Sequence, residues 1–149
     1  MAAEKNLYKM VKEKLKEFHP IRIETSTFNG FPDFVLFNKN KKVLFIECKA
    51  CESSKLLHSL SPHQKLFHSK YSELMEGLFI LQRVLSERRI FLYRSKDSNF
   101  LLQKTSLEPC AEVELSSDWG KIKKILNDQP LHIDTRNAIH EARAENGEK

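Results

Sequence analysis

The sequence predicts a mixed α/β domain: one sheet with helices on its faces, in the order helix, three strands, helix, two strands, with a short helix near the C-terminus. Two stretches, 3–18 and 62–76, place apolar residues at helical spacing. Short apolar runs bounded by turn residues lie between and after them, at 34–37, 43–46, 78–85 and 89–94. The chain has 149 residues, 40% of them hydrophobic and 30% charged, which is enough for one soluble domain with a real core and too little for two. Residues 1–128 are expected to form that domain, its core about 4–94, with 129–149 a polar, poorly ordered tail.

In chain order, Leu7, Met10, Val11, Leu15 and Phe18 line one side of a first helix, which Pro20 stops. At ~100° per residue Glu4 shares the side of Leu7, Val11 and Leu15, while Glu13 and Glu17 fall to the back or edge. A carboxylate in line with an apolar stripe needs a reason; the plain alternative is a solvated acid favouring the helix dipole. Ile21 to Thr27 alternates as a first strand with one wet face, on which Glu24 is a runner-up acid. Phe28-Asn29-Gly30 then turns into Pro32-Asp33.

The next two strands form a hairpin about the polar turn Asn38 to Lys42. Asp33 opens the first, and Glu47-Cys48-Lys49 closes the second. Side chains alternate faces along a strand, so Glu47 and Lys49 point one way and Cys48 points toward the core. In an antiparallel hairpin the start of one strand lies beside the end of the next, which brings Asp33 near Glu47. Two carboxylates and an ammonium thus meet at one end of a sheet. Hard oxygen ligands from two strands suit Mg²⁺, which usually takes one or two carboxylates and keeps several waters. A lysine beside the ion orients or deprotonates water and offsets charge on a phosphate.

Ala50 to Leu60 has no clean period and reads as a loop beside this site, with Lys55 and His58 as phosphate contacts or as plain connector residues. Ser61 is a good N-cap and Pro62 a good first residue for a second helix running to about Glu76, with Gly77 ending it. Its stripe is Phe67, Tyr71, Leu74, Met75 and Leu78. Gln64 projects to the same side, the plain alternative being a solvated first-turn residue, while His63 and His68 are expected to face water, where they could touch DNA. A second strand pair follows, crowded by Arg83, Arg88, Arg89 and Arg94, in a pattern that fits phosphate contact and solvated edge strands equally. Phe100 to Leu102 reads as a short strand. Ser117 to Leu126 reads as a helix packing Trp119, Ile122, Ile125 and Leu126 inward.

Pro32-Asp33 followed by Glu47-Cys48-Lys49 resembles the signature of the PD-(D/E)xK nucleases. Leu60-Ser61-Pro62-His63-Gln64 resembles the helix start that follows the Glu-x-Lys strand in VRR-NUC-type and Holliday-junction-resolvase-like phage members. The resemblance implies a restriction-endonuclease-like core of order α-β-β-β-α-β-β and metal-dependent hydrolysis of DNA phosphodiesters. In it Asp33 and Glu47 hold Mg²⁺ or Mn²⁺, helped by the Cys48 backbone carbonyl. It further implies Lys49 as the orienting cation, Glu4 as the acid of a first helix that reaches the metal, and Gln64 at the edge of the active site. It covers Glu4 to Arg94 and leaves the last third unexplained. Branched DNA, a junction or a flap, fits a short chain with no separate recognition module, and junction cutting calls for a homodimer that presents two sites. The alternatives are a sequence-specific homing-type endonuclease and a non-cutting DNA-binding protein.

The net charge of +5 is compatible with a DNA partner without requiring one. No apolar run approaches ~20 residues, and the first ten lack a signal-peptide core, so an intracellular, cytoplasmic protein is expected. Three cysteines do not suggest a disulfide framework. Cys48-x-x-Cys51 would need two more ligands, from His58, His63 or Cys110, to hold zinc, and reduced thiols are the plainer expectation.

Overall fold

A computed structural model of the chain describes residues 2–53, 59–97 and 108–129. Its elements are α1 (Ala2–Lys14), β1 (Ile21–Arg22), β2 (Phe34–Phe37), β3 (Val43–Cys51), α2 (Pro62–Tyr71), β4 (Leu78–Val84), β5 (Arg89–Arg94), β6 (Ala111–Glu114) and α3 (Gly120–Asn127). The six strands form one mixed sheet in sequence order, β1 to β6. Neighbours are antiparallel except β3 and β4, which run parallel because α2 crosses between them. The expected order of elements is present, extended by β6.

The two faces of the sheet have separate cores. On one, Leu7, Val11, Leu15 and Phe18 pack with Phe34, Leu36, Leu44, Ile46, Cys48, Phe79, Leu81, Trp119, Ile122 and Leu126. Each of these large apolar side chains contributes about 1.5–3 kcal/mol on burial. The other face carries Leu60, Ile80, Val84, Phe91 and Tyr93. Toward α2, Phe31 stacks edge-on against both Phe45 and Phe67. By alternation along β3, Glu47 and Lys49 follow Phe45 on that second face, while Cys48 points into the first core.

Local chemistry explains where elements end. α1 stops at Lys14, and a 3-10 turn, Lys16–Phe18, carries Phe18 into the core. His19 then takes a left-handed conformation (φ 49°) ahead of Pro20, which disfavours helix in the residue before it. β1 is only two residues long, against the seven expected. The Ile23 N–H still bonds the Asp33 carbonyl at 2.7 Å, but Pro32 offers no N–H to extend pairing, and residues 24–29 are exposed. α2 ends at Tyr71, not near Glu76, and Leu74 is 71% exposed rather than part of the stripe. The chain turns there so that Gly77 can lie against Leu44 and the Val43 carbonyl, where a Cβ would come within about 3.0–3.1 Å of both.

His68 does not face water. It is fully buried, with Nδ1 2.6 Å from Ser95 Oγ, because the 3-10 turn after β5 (Ser95–Asp97) covers it; burial holds its pKa down at about 3. β6 went unexpected, and the strand expected at Phe100 to Leu102 lies outside the described residues. Trp119 is buried as expected but sits at the N-cap of α3 in a left-handed conformation (φ 62°), one residue before the helix. Gln129, expected in a loose tail, is buried, and its carbonyl accepts a bond from Asn38. Residues 130–149 are outside the described set. Cys48, Cys51 and Cys110 form no disulfide. Among the described residues no helix is long and apolar enough to cross a membrane.

Candidate active site

The register of the hairpin builds the site. Phe34 pairs with Ile46, so one step back Asp33 faces Glu47. The β2 ladder stops at Phe34, and the Cys48 N–H donates instead to Asp33 Oδ2 at 2.8 Å. Asp33 Oδ1 accepts from the Tyr8 hydroxyl of α1 at 3.3 Å and lies 3.6 Å from the Arg22 guanidinium of β1. Three elements thereby fix one carboxylate. The ring of Tyr8 packs against both the Phe34 ring, edge-on at 5.7 Å, and the Arg22 guanidinium, 4.2 Å from its centroid. Burial, with the Asp33 charge, pushes the Tyr8 hydroxyl well above its ordinary range, so it stays a neutral donor.

Glu47 is 1% exposed, and its Oε1 has no hydrogen-bond partner. Burial is the main reason its pKa is raised far above the carboxylate range; the hydrogen bond and charge of Asp33 add to this, and Lys49 opposes it. A buried carboxylate beside a second one, with an oxygen left bare, is poorly stabilised by protein alone. Lys49 Nζ lies 3.7 Å from Glu4 Oε1, both side chains mostly buried, so α1 supplies the counter-charge that keeps the ammonium at the sheet's end. The Cys48 thiol is buried in the apolar core and its pKa is pushed up by that burial, which leaves only the Cys48 backbone for a ligand.

Gln64 comes to the same region by another route. Ser61 Oγ accepts the Gln64 N–H at 3.1 Å and Gln64 Oε1 accepts the Ser61 N–H at 2.9 Å, closing a capping box at the start of α2. Gln64 and Asp33 both line an open cleft of about 360 Å³, with Arg22, Thr25, Phe28, Gly30, Ser61 and the exposed His63 around it. Gly30 (φ +83°) sets the width of this cleft. A Cβ there would lie 2.4 Å from the His63 carbonyl oxygen, so only glycine lets the loop before Asp33 close on α2. Arg89 pairs with Glu112 across β5 and β6 instead of standing free on the surface, Arg83 and Arg94 are half-buried, and Arg88 (φ 52°) occupies the turn between β4 and β5. Lys55 and His58 lie outside the described residues.

Asp33, Glu47, Lys49 and Glu4 are thus brought together, with Gln64 across the cleft. Tyr8 and Arg22 are the members that sequence reasoning missed. Tyr8 does stand four residues after Glu4, on an adjacent part of the same helical face. The pair of carboxylates and the bare Glu47 oxygen fit a magnesium-type ion, which needs few protein ligands. Among the described residues no group of three His, Cys, Asp or Glu side chains is placed to hold a metal, and Glu4 lies against Lys49.

The sign of the Glu47 effect is checkable in metal-free protein. The folded state holds this proton to higher pH than the unfolded chain does, so the stabilisation is complete below the ordinary carboxylate range and is lost as pH rises through the raised value. Glu47→Gln should therefore stabilise the protein in chelator at pH 8 by roughly 1–3 kcal/mol of relieved burial cost, read as a higher melting temperature. At pH 4 it should change little. Melting curves of the two proteins across that range decide it; equal melting temperatures at pH 8 would contradict the burial account.

No family model matches the chain, and no curated protein does. Among solved structures it is similar to Hjc, a Holliday junction resolvase from the archaeal hyperthermophile Archaeoglobus fulgidus. The two are 15% identical over 78% of this chain and 86% of that one, with a TM-score of 0.41.

Proposed function

We propose that the protein is a divalent-metal-dependent nuclease that hydrolyses DNA phosphodiester bonds, acting on branched DNA as a homodimer. The observation that carries this reading is the meeting of Asp33 and Glu47 at the end of the β2–β3 hairpin, with Glu47 Oε1 buried and bare and Lys49 beside them. Asp33, Glu47 and the Cys48 carbonyl would hold Mg²⁺ or Mn²⁺. When bound, such an ion lowers the pKa of water and offsets charge on the phosphate. Lys49 orients the water and the phosphate oxygen, and Glu4, 3.7 Å away, holds its ammonium in place in a mostly buried position. The water oxygen gives up a proton to solvent and bonds to phosphorus, the bond from phosphorus to the ester oxygen breaks, that oxygen takes a proton from solvent, and Gln64 stands at the cleft edge where the strand passes.

A non-cutting DNA-binding protein is the second reading. It is favoured by the absence of a three-side-chain metal cluster among the described residues. Incubation with linear, supercoiled, flapped and four-way DNA in Mg²⁺, Mn²⁺ or chelator separates the two. Cutting that needs the metal and prefers branched forms is expected. Salt-sensitive binding without any cutting would favour the second reading and end the first. A solution mass of one chain at working concentration would end the dimer.

A further inference from the structure

Arg22 carries more donors than its neighbours use. One terminal nitrogen donates to the Ile23 carbonyl and, at 3.1 Å, to the Asp33 carbonyl. The other lies 3.6 Å from Asp33 Oδ1, longer than a hydrogen bond. Its guanidinium carbon lies over the Tyr8 ring, 4.2 Å from the centroid, with the Phe34 ring 5.9 Å away, and its side chain, 24% exposed, lines the cleft of about 360 Å³ that Asp33 also lines. A planar cation held by its face and one end keeps its remaining edge for a planar or tetrahedral anion. Arg22 and Asp33 now neutralise one another loosely. A divalent ion on Asp33 would supply that charge itself and leave the guanidinium unmatched beside the cleft.

We infer that Arg22, seated on Tyr8, is a phosphate contact for the DNA strand that enters this cleft, passing from Asp33 to a backbone phosphate when the metal is bound. This rests on the nuclease reading for the identity of the strand. Glu24 also lines the cleft and repels phosphate, but it is exposed and therefore screened. Tyr8 is the platform: its hydroxyl serves Asp33 and its ring serves Arg22, so the two functions separate in Tyr8→Phe and Tyr8→Leu.

The test is the salt dependence of DNA binding by the full chain, measured on a labelled four-way DNA with Ca²⁺ and with chelator. Arg22→Gln keeps donors for the two carbonyls but drops the charge, and it should lower the slope of log affinity against log salt by about 0.7–0.9. It should also raise the DNA concentration for half-maximal cutting on the order of tenfold, with a smaller change in the saturated rate. Arg22→Lys and Tyr8→Phe should keep the slope; Tyr8→Leu should weaken binding. An unchanged slope in Arg22→Gln, with the loss confined to the saturated rate, would make Arg22 a positioning residue for Asp33 and overturn the inference. A lowered slope in a protein that never cuts would uphold the contact and end the nuclease reading. Wild-type protein that binds no DNA would end both.

Discussion

Lys49→Ala should slow metal-dependent DNA cutting on the order of 10²–10⁴-fold while leaving divalent-ion binding in place, whereas Asp33→Ala should lose both. The difference comes from what each side chain touches. Lys49 is paired with Glu4 and opposes the raised pKa of Glu47, so its removal takes a cation away from two carboxylates and does not weaken their hold on a dication. Asp33 is one of the two carboxylates and also the acceptor of the Cys48 N–H. Its loss leaves that donor short, at a cost of about 1–3 kcal/mol, so Asp33→Asn is the better-folded companion. Single-turnover cutting of branched DNA in Mg²⁺ and calorimetric titration with Mn²⁺ measure the two effects. Full activity in both purified variants would remove the catalytic assignment. Loss of ion binding in Lys49→Ala alone would move Lys49 from orienting cation to structural support.

The convergence of Asp33, Glu47 and Lys49 was legible because it depends on local rules: a period of two along β3 and the register of a short hairpin. Glu4 was legible for a similar reason, since a helical wheel shows an acid on an apolar stripe. Tyr8 and Arg22 were not, because their contact with Asp33 depends on how α1 docks against β1 and on the early end of β1. Gln64 drew attention as an amide on the apolar side of the second helix, yet in the structure the capping box fixes its Oε1 at the helix start and not on the stripe. His68 shows the limit most plainly. Its place on the helical wheel said water, and only the turn at Ser95, twenty-seven residues on, buries it. β6 escaped because Ala-Glu-Val-Glu is too short to be told from a loop; Ala111 and Val113 face inward only because β5 offers an edge to pair with.

Asn38→Ala should destabilise the fold by about 2–4 kcal/mol, or roughly 5–15 °C in melting temperature, without changing the chemistry of the folded protein. Asn38 looked like an ordinary turn residue, but it is 6% exposed and uses both ends of its amide. Its nitrogen donates to the carbonyls of Leu126 and Gln129 at 2.9 and 2.8 Å, and its oxygen accepts the N–H groups of Asn40 and Lys42 at 2.9 and 3.0 Å. One side chain thus shapes the β2–β3 turn and ties it to the last turn of α3. Alanine takes the side-chain donor from both carbonyls and the acceptor from both N–H groups, and among the described residues only the Gln129 carbonyl keeps a second donor, Asn40 Nδ2 at 3.4 Å. Asn38→Asp separates the two halves of the role. It keeps the acceptor but sets a carboxylate against two carbonyls at the negative end of a helix, so it should be at least as harmful as alanine at neutral pH and less so as pH falls through the carboxylate range. The site lies at the other end of the hairpin, about 16 Å along the strand. Cutting rates per folded molecule at low temperature should therefore match wild type in both variants. A rate loss there, with an unchanged melting temperature, would mean that the turn acts on the site and not on the anchoring of α3.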